Sequence, residues 1–368
     1  MKVINWAMGL ISQLVTYYVR PRNVGLGMMR WSATVFVPAL ASGVVVELRA
    51  GTENSFRFST AEGPPLFILC TIVAAALVGW FVGMRLAARA DQREADLNQI
   101  SRVLVVELRG LVDTSDHPLI KAVPTHVRGR REDCLVDVRP HLTGSTPNVP
   151  TALDELAYLR RQVQRARGDT AREHVTVVVG GVMQVPLLFY AGTLIDDEGK
   201  VLLMDWERTQ GQWKQLEHPD DGSRFASTGL EDVAGPEAVL AVSASYRVDL
   251  AGIEQTFPGF PVVHMARPDP KPNTLWSEEK QAALAGQFLD TLAELANRGV
   301  KTVHLVLAAP CSLSLRFGRV YDPRNMPNLR CYQRERDHVP PYPWSVQMPT
   351  AVLPVAYLLT PAPAVVAA

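Results

Sequence analysis

The stretch PLLFYAGTLID, from Pro186 to Asp196, decides the fold, because a stretch of the same design returns 126 positions later. The second stretch is SLSLRFGRVYD, from Ser312 to Asp322. The two align glycine on glycine, Gly192 on Gly318, and both end in aspartate. Each is flanked by short apolar, β-branched runs that are typical of buried strands. The sequence therefore predicts an internal duplication of an α/β unit.

Residues on both sides of these stretches keep the same register. The aligned pairs are Thr151 with Ser277 as helix caps, Trp206 with Tyr332, and Arg208 with Arg334. The predicted strands are Val103–Leu108 and Val175–Val179, then Ala238–Val242, Pro261–Met265 and Thr302–Leu307. We therefore expect two doubly wound halves, about residues 101–220 and 235–348, around a pseudo-twofold cleft. Ligands of such sheets bind beyond the carboxyl ends of the strands, beside helix N-termini that favour phosphate.

Two apolar segments precede the α/β part and predict a transmembrane hairpin within residues 1–90. Leu66–Met84 has 19 residues without a charge, enough to cross a hydrocarbon core of about 30 Å. Trp31–Val46 is shorter, but it reaches spanning length, about residues 25–46, if Arg30 extends its charge to the interface. Basic residues precede the first span and follow the second, so the positive-inside rule places both termini in the cytoplasm.

Three further segments flank these regions. An apolar helical pattern over residues 3–19 predicts a helix in the membrane interface. The polar residues 91–100 predict a helical connector between the membrane region and the α/β part. The uncharged residues 349–368 contain four prolines, which favour an edge strand and a loose tail over a third span.

Charge and cysteine content argue against several classes of function. Lys plus Arg and Asp plus Glu are equal at 37 each, so there is no net charge to attract duplex DNA or RNA. The four cysteines form no CxxC pair and have no histidine at zinc spacing, which predicts a reducing compartment and no structural metal.

The sequence contains no P-loop, no G-x-S-x-G elbow and no H-E-x-x-H motif, and we expect neither catalytic residues nor a cofactor. His304 lies within a predicted strand and is expected to be a packed imidazole. Glu107 lies late in the first predicted strand, where it serves either a site or a salt bridge.

Several motifs together resemble the SAVED domain family. They are the Pro-Leu-Leu helix start at Pro186, then Gly192, Leu194, Asp196, Trp206, Arg208 and Trp213, and in the second half LVLAAPCSLSLRFG (Leu305–Gly318), Tyr332 and Trp344. The resemblance covers about Arg102 to Met348, and the two preceding spans agree with it. The sequence departs from the family pattern at Gly180–Gln184 and Asp205–Arg208, which affects the expected ligand contacts more than the fold. We expect the aligned aromatic residues to be core residues rather than base platforms.

This resemblance implies two fused CARF-like Rossmann units that bind a cyclic di- or trinucleotide made during phage infection. Members with two spans resemble effectors of CBASS anti-phage systems. In such an effector, the ligand drives homo-oligomerisation, and clustered spans disrupt the lipid bilayer of the bacterial inner membrane and cause abortive infection. Ala75, Gly79 and Gly83 offer a small-residue face for association of the second span.

The candidate ligand contacts lie at the strand ends and helix starts of both halves. They are Arg109, Gly110, Thr114, Met183, Gln184 and Leu187, and then Ser243, Ser245, Tyr246, Arg247, Pro310 and Ser312. Small residues let backbone N–H groups approach phosphate, arginines supply charge, and the ring of Tyr246 suits stacking on a base. Structural roles stay open as well, with Ser243 and Ser245 as cap or turn residues and Tyr246 as a packing residue.

Two other functions stay open at this point. One is a membrane-tethered hydrolase or ring nuclease that acts on the same nucleotide and would consume it during incubation. The other is a membrane scaffold whose α/β domain binds a protein and has no affinity for nucleotides.

Overall fold

The structure, a computed structural model, describes residues 24–41, 45–46, 58–59, 66–143, 147–195 and 199–360. The predicted interfacial helix over residues 3–19, Asp196 and the last eight residues of the predicted tail lie outside these ranges. The chain divides into two compact units, Met1–Gln99 and Ile100–Ala368.

The first unit contains the helices α1 (Val24–Ala41) and α2 (Leu66–Ile100) and a short antiparallel pair, β1 (Val45–Val46) and β2 (Phe58–Ser59). Among the described residues, Thr71–Gln92 is the one segment long and apolar enough to cross a membrane, with 22 residues and a mean hydropathy of 1.8. Only 17% of its most apolar window is buried, whereas the core helix of a soluble protein is mostly buried.

The bounds of both predicted spans change in the structure. α1 ends at Ala41, short of the predicted end of the first span at Val46, because the β-branched Val45 and Val46 pair as a strand. α2 continues past Met84 through the predicted connector as one helix of 35 residues. Residues 84–100 are rich in good helix formers and contain no glycine or proline, so nothing in this stretch interrupts the helix.

α1 and α2 pack backbone against backbone at small residues. A Cβ atom added to Gly25 would lie 2.6 Å from both the Gly83 carbonyl oxygen and the Ala87 amide nitrogen. A Cβ atom on Gly83 would lie 2.8 Å from the Gly25 carbonyl oxygen and from Met29 Cγ. The spacing of four between Gly83 and Ala87 places both on one face of α2, which is the small-residue packing that membrane helices use.

This contact changes the role of the predicted association face. Gly79 and Gly83 are in contact with α1, since a Cβ on Gly79 would lie 2.6 Å from Ser32 Oγ, whereas Ala75 is exposed. This face of α2 therefore packs against α1 within one chain. The exposed apolar side chains of α2 include Leu77, Val78, Phe81 and Val82.

The second unit contains two sheets with helices between and around them. The strands of the first sheet are β3 (Arg102–Arg109), β4 (Arg130–Asp137), β5 (Val175–Val182), β6 (Lys200–Glu207) and β7 (Gln212–Gln215). Those of the second are β8 (Ala226–Thr228), β9 (Glu237–Ser243), β10 (Val262–Ala266), β11 (Thr302–Ala308), β12 (Asn328–Gln333), β13 (Trp344–Gln347) and β14 (Tyr357–Leu359). The helices are α3 (Leu119–Ala122), α4 (Arg139–Leu142), α5 (Val149–Ala157), α6 (Leu159–Arg167), α7 (Val185–Leu194), α8 (Leu250–Thr256), α9 (Glu278–Asn297) and α10 (Cys311–Val320), with a 3-10 turn at Arg172–His174.

The two sheets share one strand order. The order β4-β3-β5-β6-β7 in the first sheet is repeated as β10-β9-β11-β12-β13 in the second. The strand directions also agree, with three parallel pairings followed by an antiparallel one in each sheet. β8 and β14 extend the edges of the second sheet, and β14 is the edge strand expected in the C-terminal segment.

The register of the strands corrects part of the sequence alignment. In the first sheet Val179 of β5 pairs with Leu203 of β6. In the second sheet Leu305, which lies 126 positions after Val179, pairs with Cys331. Cys331 lies 128 positions after Leu203. The turn before β12 is therefore two residues longer than the turn before β6. The predicted pairs Trp206 with Tyr332 and Arg208 with Arg334 are wrong by two residues. By this register the structural equivalents are Met204 with Tyr332 and Asp205 with Gln333. β12 ends at Gln333, and the same shift extended beyond that end aligns Trp206 with Arg334 and Arg208 with Arg336.

One predicted helix cap is also corrected. Ser277 caps α9, and its hydroxyl accepts a hydrogen bond from the Lys280 amide at 3.2 Å. The first-half helix begins earlier than Thr151, because Asn148 is its cap and accepts from the Thr151 amide. Asn and Thr are both preferred N-cap residues, so the residue types alone did not separate Asn148 from Thr151.

The equivalent helices α7 and α10 meet at two glycines. A Cβ on Gly192 would overlap the Leu315 carbonyl oxygen, and a Cβ on Gly318 would overlap the Phe189 carbonyl oxygen. Because Phe189 and Leu315 are also 126 positions apart, the contact is reciprocal. The two halves thus pack through the stretch that carries the repeat, and the carboxyl ends of their strands border the helix starts.

Candidate ligand-binding site

A cavity lies beside the start of α10, at the carboxyl ends of β5, β6, β9 and β11. We call it cavity A, and its volume is about 280 Å³. It takes residues from both halves of the second unit. They are Val182, Asp205, Trp206, Arg208, Ser245, Tyr246, Pro272, Asn273, Thr274, Leu275, Trp276, Ala309, Pro310 and Cys311.

Asp205 joins the two halves at the floor of cavity A. Its carboxylate accepts hydrogen bonds from Ser312 Oγ at 2.6 Å and from the Ser312 amide at 3.2 Å. Burial raises the pKa of Asp205, although these donors oppose the shift. Ser312 is fully buried and also receives a bond from Gln281 Nε2 at 2.8 Å, so its hydroxyl belongs to this internal network.

Ser245 and Tyr246 form the wall of cavity A that is open to a ligand. Ser245 is only 4% exposed, and its Oγ has no hydrogen-bond partner among the described residues. A buried hydroxyl without a partner is costly, which favours a polar ligand group at this position. Tyr246 follows with 49% of its surface exposed and is thus free of the packing role left open by the sequence.

The loop from Pro272 to Trp276 forms the opposite wall. Arg267 holds it in place, donating from Nη1 to the Thr274 hydroxyl at 2.9 Å and to the Ala244 carbonyl at 3.1 Å. Lys214 Nζ lies 5.1 Å from the ring centre of Trp276. Cys311 is an unreactive part of the lining, because burial raises the pKa of its thiol to about 12.

A second cavity lies beside the start of α7, and we call it cavity B. Its volume is about 390 Å³, and Tyr246 borders it as well as cavity A. Its lining is Val185, Tyr246, Arg247, Val248, Asp249, Val306, Leu307, Ala308, Tyr332, Gln333, Arg334, Arg336 and Tyr342.

The candidate contacts after β3 belong to a buried network. Glu107 accepts hydrogen bonds from Arg109 Nε at 2.7 Å, from the Thr114 hydroxyl and from the Leu119 amide at 2.7 Å. Glu107 therefore makes the salt bridge rather than lining a cavity. Gly110 lies against Met183, and its amide donates to the Val182 carbonyl oxygen.

The other candidates divide between the cavities and the core. Ser245, Tyr246 and Pro310 line cavity A, and Tyr246 and Arg247 line cavity B. Ser243 bonds to His264 Nε2 at 2.9 Å and accepts from the Val248 amide at 3.0 Å, while Met183 and Leu187 are buried in the core. Gln184 is the N-cap residue of α7, and its Oε1 has no partner among the described residues. The assignment of all twelve residues as ligand contacts stays a prediction.

Sequence reasoning missed Arg208, the loop Pro272–Trp276 and most of cavity B. Arg208 was noted only as an aligned position, and the expected core role of Trp206 overlooked that it borders cavity A. The sequence signal that could have indicated these cavities is an arginine late in each repeat, Arg208 in the first and Arg336 in the second. The loop follows β10 in the chain and lies outside the stretches that the shift of 126 aligns.

Other polar groups of the second unit support the fold. His304 is fully buried and bonds through Nε2 to Glu237 at 2.7 Å and through Nδ1 to the Tyr332 hydroxyl at 3.0 Å, which confirms a packed imidazole. Within the described ranges, no group of three or more His, Cys, Asp or Glu residues is arranged to hold a metal ion.

Comparison with protein families gives two matches. Residues 159–348 match the family model of the SMODS-associated and fused to various effectors sensor domain (SAVED). Residues 1–153 match the SAVED-fused 2TM effector domain. A comparison with curated proteins gave no match.

Among solved structures, similar ones include Cap4 SAVED/CARF-domain containing receptors. The receptor of Acinetobacter baumannii with the cyclic trinucleotide 2'3'3'-cAAA is 10% identical with a TM-score of 0.44, and the match covers 73% of this chain and 58% of that one. The receptor of Moraxella osloensis is 12% identical with a TM-score of 0.43, covering 74% and 57%. The chain thus spans less than two thirds of the length of these receptors.

Proposed function

Because the chain belongs to the SAVED family and carries that family's fused two-helix membrane effector domain, we propose that it is a membrane effector gated by a cyclic oligonucleotide. In this proposal the SAVED domain binds a cyclic di- or trinucleotide, and the bound domains assemble into a homo-oligomer. The clustered transmembrane helices then disrupt the bacterial inner membrane, and the infected cell dies before phage are released.

The observation that carries the proposal is the polar wall of cavity A. Ser245 contributes a buried hydroxyl that has no partner among the described residues, Tyr246 an exposed ring, and Arg208 a guanidinium. A hydroxyl, a stacking surface and a cation are the groups that a nucleotide ligand requires.

A local twofold axis between two CARF-like halves supports a ligand with repeated units. The common strand order of the sheets and the reciprocal contact of Gly192 and Gly318 agree with such an axis. A twofold arrangement brings equivalent strand ends to one cleft, and a cyclic oligonucleotide repeats its phosphate and base around a ring.

The membrane part of the proposal follows from family membership, which implies two transmembrane helices. The exposed Arg85 and Arg89 follow the apolar part of α2, so the positive-inside rule orients the start of the SAVED domain to the cytoplasm. The hairpin is closed internally at Gly25 and Gly83, and clustering therefore uses other surfaces of the helices. Joining several hairpins through their soluble domains raises the effective concentration of these surfaces.

The test is titration of the full chain in lipid nanodiscs with a panel of cyclic di- and trinucleotides, followed by calorimetry. The same ligands are then added to vesicles that contain the protein and a self-quenched dye. Micromolar or tighter binding of one ligand, with dye release by that ligand alone, is the expected result. Binding with consumption of the ligand would favour a nuclease, and no binding by folded protein would favour a scaffold.

A further inference from the structure

Cavity B carries an excess of positive charge that the rest of the fold does not balance. Its lining includes three arginines, Arg247, Arg334 and Arg336, and one carboxylate, Asp249. Among the described residues, neither Arg247 nor Arg336 has an ion-pair partner. Like charges that share a cavity repel each other unless an anion enters.

The single ion pair in cavity B is easily exchanged. Arg334 Nη2 lies 3.4 Å from Asp249 Oδ2, and both side chains are more than a third exposed. Exposed pairs at this distance contribute little to stability. Asp249 has a second role as the cap of α8, since Oδ1 accepts from the Gly252 amide at 3.0 Å. An entering anion therefore competes for Arg334 alone and leaves the cap intact.

The strand register makes cavity B the equivalent of cavity A. Gln333 is the counterpart of Asp205 by this register, and the same shift extended three residues further aligns Arg336 with Arg208. Each arginine lines the cavity beside the start of the other half's helix. A ligand with repeated groups thus meets the same kind of cation in both cavities.

One difference between the cavities leaves cavity B open to an anion. In cavity A, the carboxylate of Asp205 accepts hydrogen bonds from both the amide and the hydroxyl of Ser312. The residue of α7 that corresponds to Ser312 is Pro186, which has neither a hydroxyl nor an N–H. Gln333 Oε1 is buried without a partner among the described residues, and Gln333 brings no charge.

We propose that cavity B is a phosphate-binding lobe in which Arg336, Arg247 and Arg334 bind one phosphate of a nucleotide whose other part occupies cavity A. Tyr246, which borders both cavities, stacks on the base between them. This inference rests on the proposed function for the identity of the nucleotide, but the phosphate lobe is a property of cavity B alone.

The first measurement uses inorganic pyrophosphate as the probe, so that it does not depend on the signal. Calorimetry is done on the full chain in detergent, with sodium chloride at matched ionic strength as the blank. Wild-type protein is expected to bind pyrophosphate. Arg336→Met, which removes one charge-assisted hydrogen bond, should weaken binding about tenfold or more. Gln333→Glu, which adds a negative charge of the same shape, should abolish it.

The matched control is Arg298→Met. Arg298 is an arginine of similar exposure, paired with Glu294 at the end of α9, and it lines neither cavity. Asp249→Asn tests the exchange in the opposite direction. Asparagine caps helices as well as aspartate does, and the change releases Arg334, so affinity should rise several-fold.

The second measurement repeats these variants with the cyclic oligonucleotide panel. If pyrophosphate binding depends on Arg336 and no cyclic oligonucleotide binds wild-type protein, the lobe stands and the proposed signal is wrong. If a cyclic oligonucleotide binds Arg336→Met and Gln333→Glu as tightly as wild type, the proposed function stands and the phosphate lobe is wrong. The lobe is also wrong if wild-type protein does not bind pyrophosphate or if Arg298→Met weakens it equally.

Discussion

The two halves of the SAVED domain share five strands in the same order. They differ in the side chains at the end of the equivalent strands β3 and β9 and in the chain that follows. After β3, Glu107 and Arg109 form a buried ion pair that closes the position. After β9, the register places Ala241 and Ser243 at the same points, and the chain continues into the half-exposed Tyr246. The two halves thus share a backbone frame, while the chain after β3 supports the fold and the chain after β9 borders both cavities.

The same division appears at the helix starts. Asp205 bonds across to Ser312, and this bond ties the first half to the second. The corresponding residues are Gln333, whose Oε1 has no partner among the described residues, and Pro186, which has neither a hydroxyl nor an N–H. A pseudo-symmetric frame with unequal side chains binds a symmetric ligand unequally, so each half is expected to respond differently to substitution.

The largest effect is expected from Glu107→Ala, which removes the acceptor for Arg109, Thr114 and the Leu119 amide. An unpaired buried guanidinium costs about 3–5 kcal/mol of the free energy of unfolding. Guanidinium chloride unfolding of the full chain in detergent, followed by tryptophan fluorescence, measures it. Ser243→Ala, at the position equivalent to Arg109, should cost about 1 kcal/mol. Equal losses from the two substitutions would mean that the halves do not differ in this way.

A smaller effect is expected at the glycine contact between the halves. Gly192→Ala forces a methyl group onto the Leu315 carbonyl oxygen and should cost about 1–3 kcal/mol of stability. Gly318→Ala should cost a similar amount because the contact is reciprocal. The control is Gly286→Ala in the exposed middle of α9, where no atom lies within 4 Å of the added Cβ. This change should raise stability by up to about 1 kcal/mol, because alanine favours the helix.

The next prediction concerns ligand binding and compares Tyr246 with Val112, its counterpart in the first half. Stacking of a base on an aromatic ring contributes about 1–3 kcal/mol, so Tyr246→Leu should weaken binding of the active cyclic oligonucleotide about tenfold. Val112→Ala removes an exposed apolar side chain of the other half and should leave affinity unchanged. Calorimetric titration measures both, and equal weakening would place the ligand symmetrically between the halves.

Much of the fold could be predicted from the sequence because it depends on repeated local patterns. The shift of 126 holds from β5 through α7 against β11 through α10, where strand, helix and glycine contact follow one another in the chain, as at Gly192 and Gly318. It fails at β12 because a turn tolerates two extra residues without disturbing the core. Apolar periodicity does not detect such an insertion, since a shift of two keeps every side chain on the same face of a strand.

The site was harder to predict, because the relevant groups are defined by contacts between the halves. Ser312 has the residue type of a ligand contact, yet it bonds to the carboxylate of Asp205, which lies 107 positions earlier in the other half. Arg109 also has that residue type, but it bonds to Glu107 on its own strand. Arg336 lines cavity B but was not among the predicted ligand contacts, because the sequence alignment paired Arg208 with Arg334 instead. Its equivalence to Arg208 depends on the register of β12, which only backbone pairing reveals.

The smallest effect is expected from Asp205→Asn, which tests whether the link between the halves is neutral in the folded protein. Burial raises the pKa of Asp205, so the native state binds a proton at higher pH than the unfolded chain does. This contribution to stability is complete below the ordinary aspartate pKa and is lost as pH rises through the raised value. Asparagine does not titrate, so the free energy of unfolding should fall less in the variant than in wild type between pH 4 and pH 7. The difference between the two losses should be about 1 kcal/mol or less.

Asp220→Asn is the control of opposite sign. Arg224 and the Gly222 amide lower the pKa of Asp220 to about 2, so its contribution is present above the ordinary aspartate pKa and is lost as pH falls. Melting temperatures of both variants from pH 3 to pH 8 therefore diverge in opposite directions from wild type. If Asp205→Asn follows the wild-type profile, Asp205 is ionised in the fold. The two halves would then be joined by a buried negative charge. Cavity A would hold this fixed carboxylate beside Arg208 and would repel a phosphate. Cavity B, where the neutral Gln333 takes the place of Asp205, would accept it.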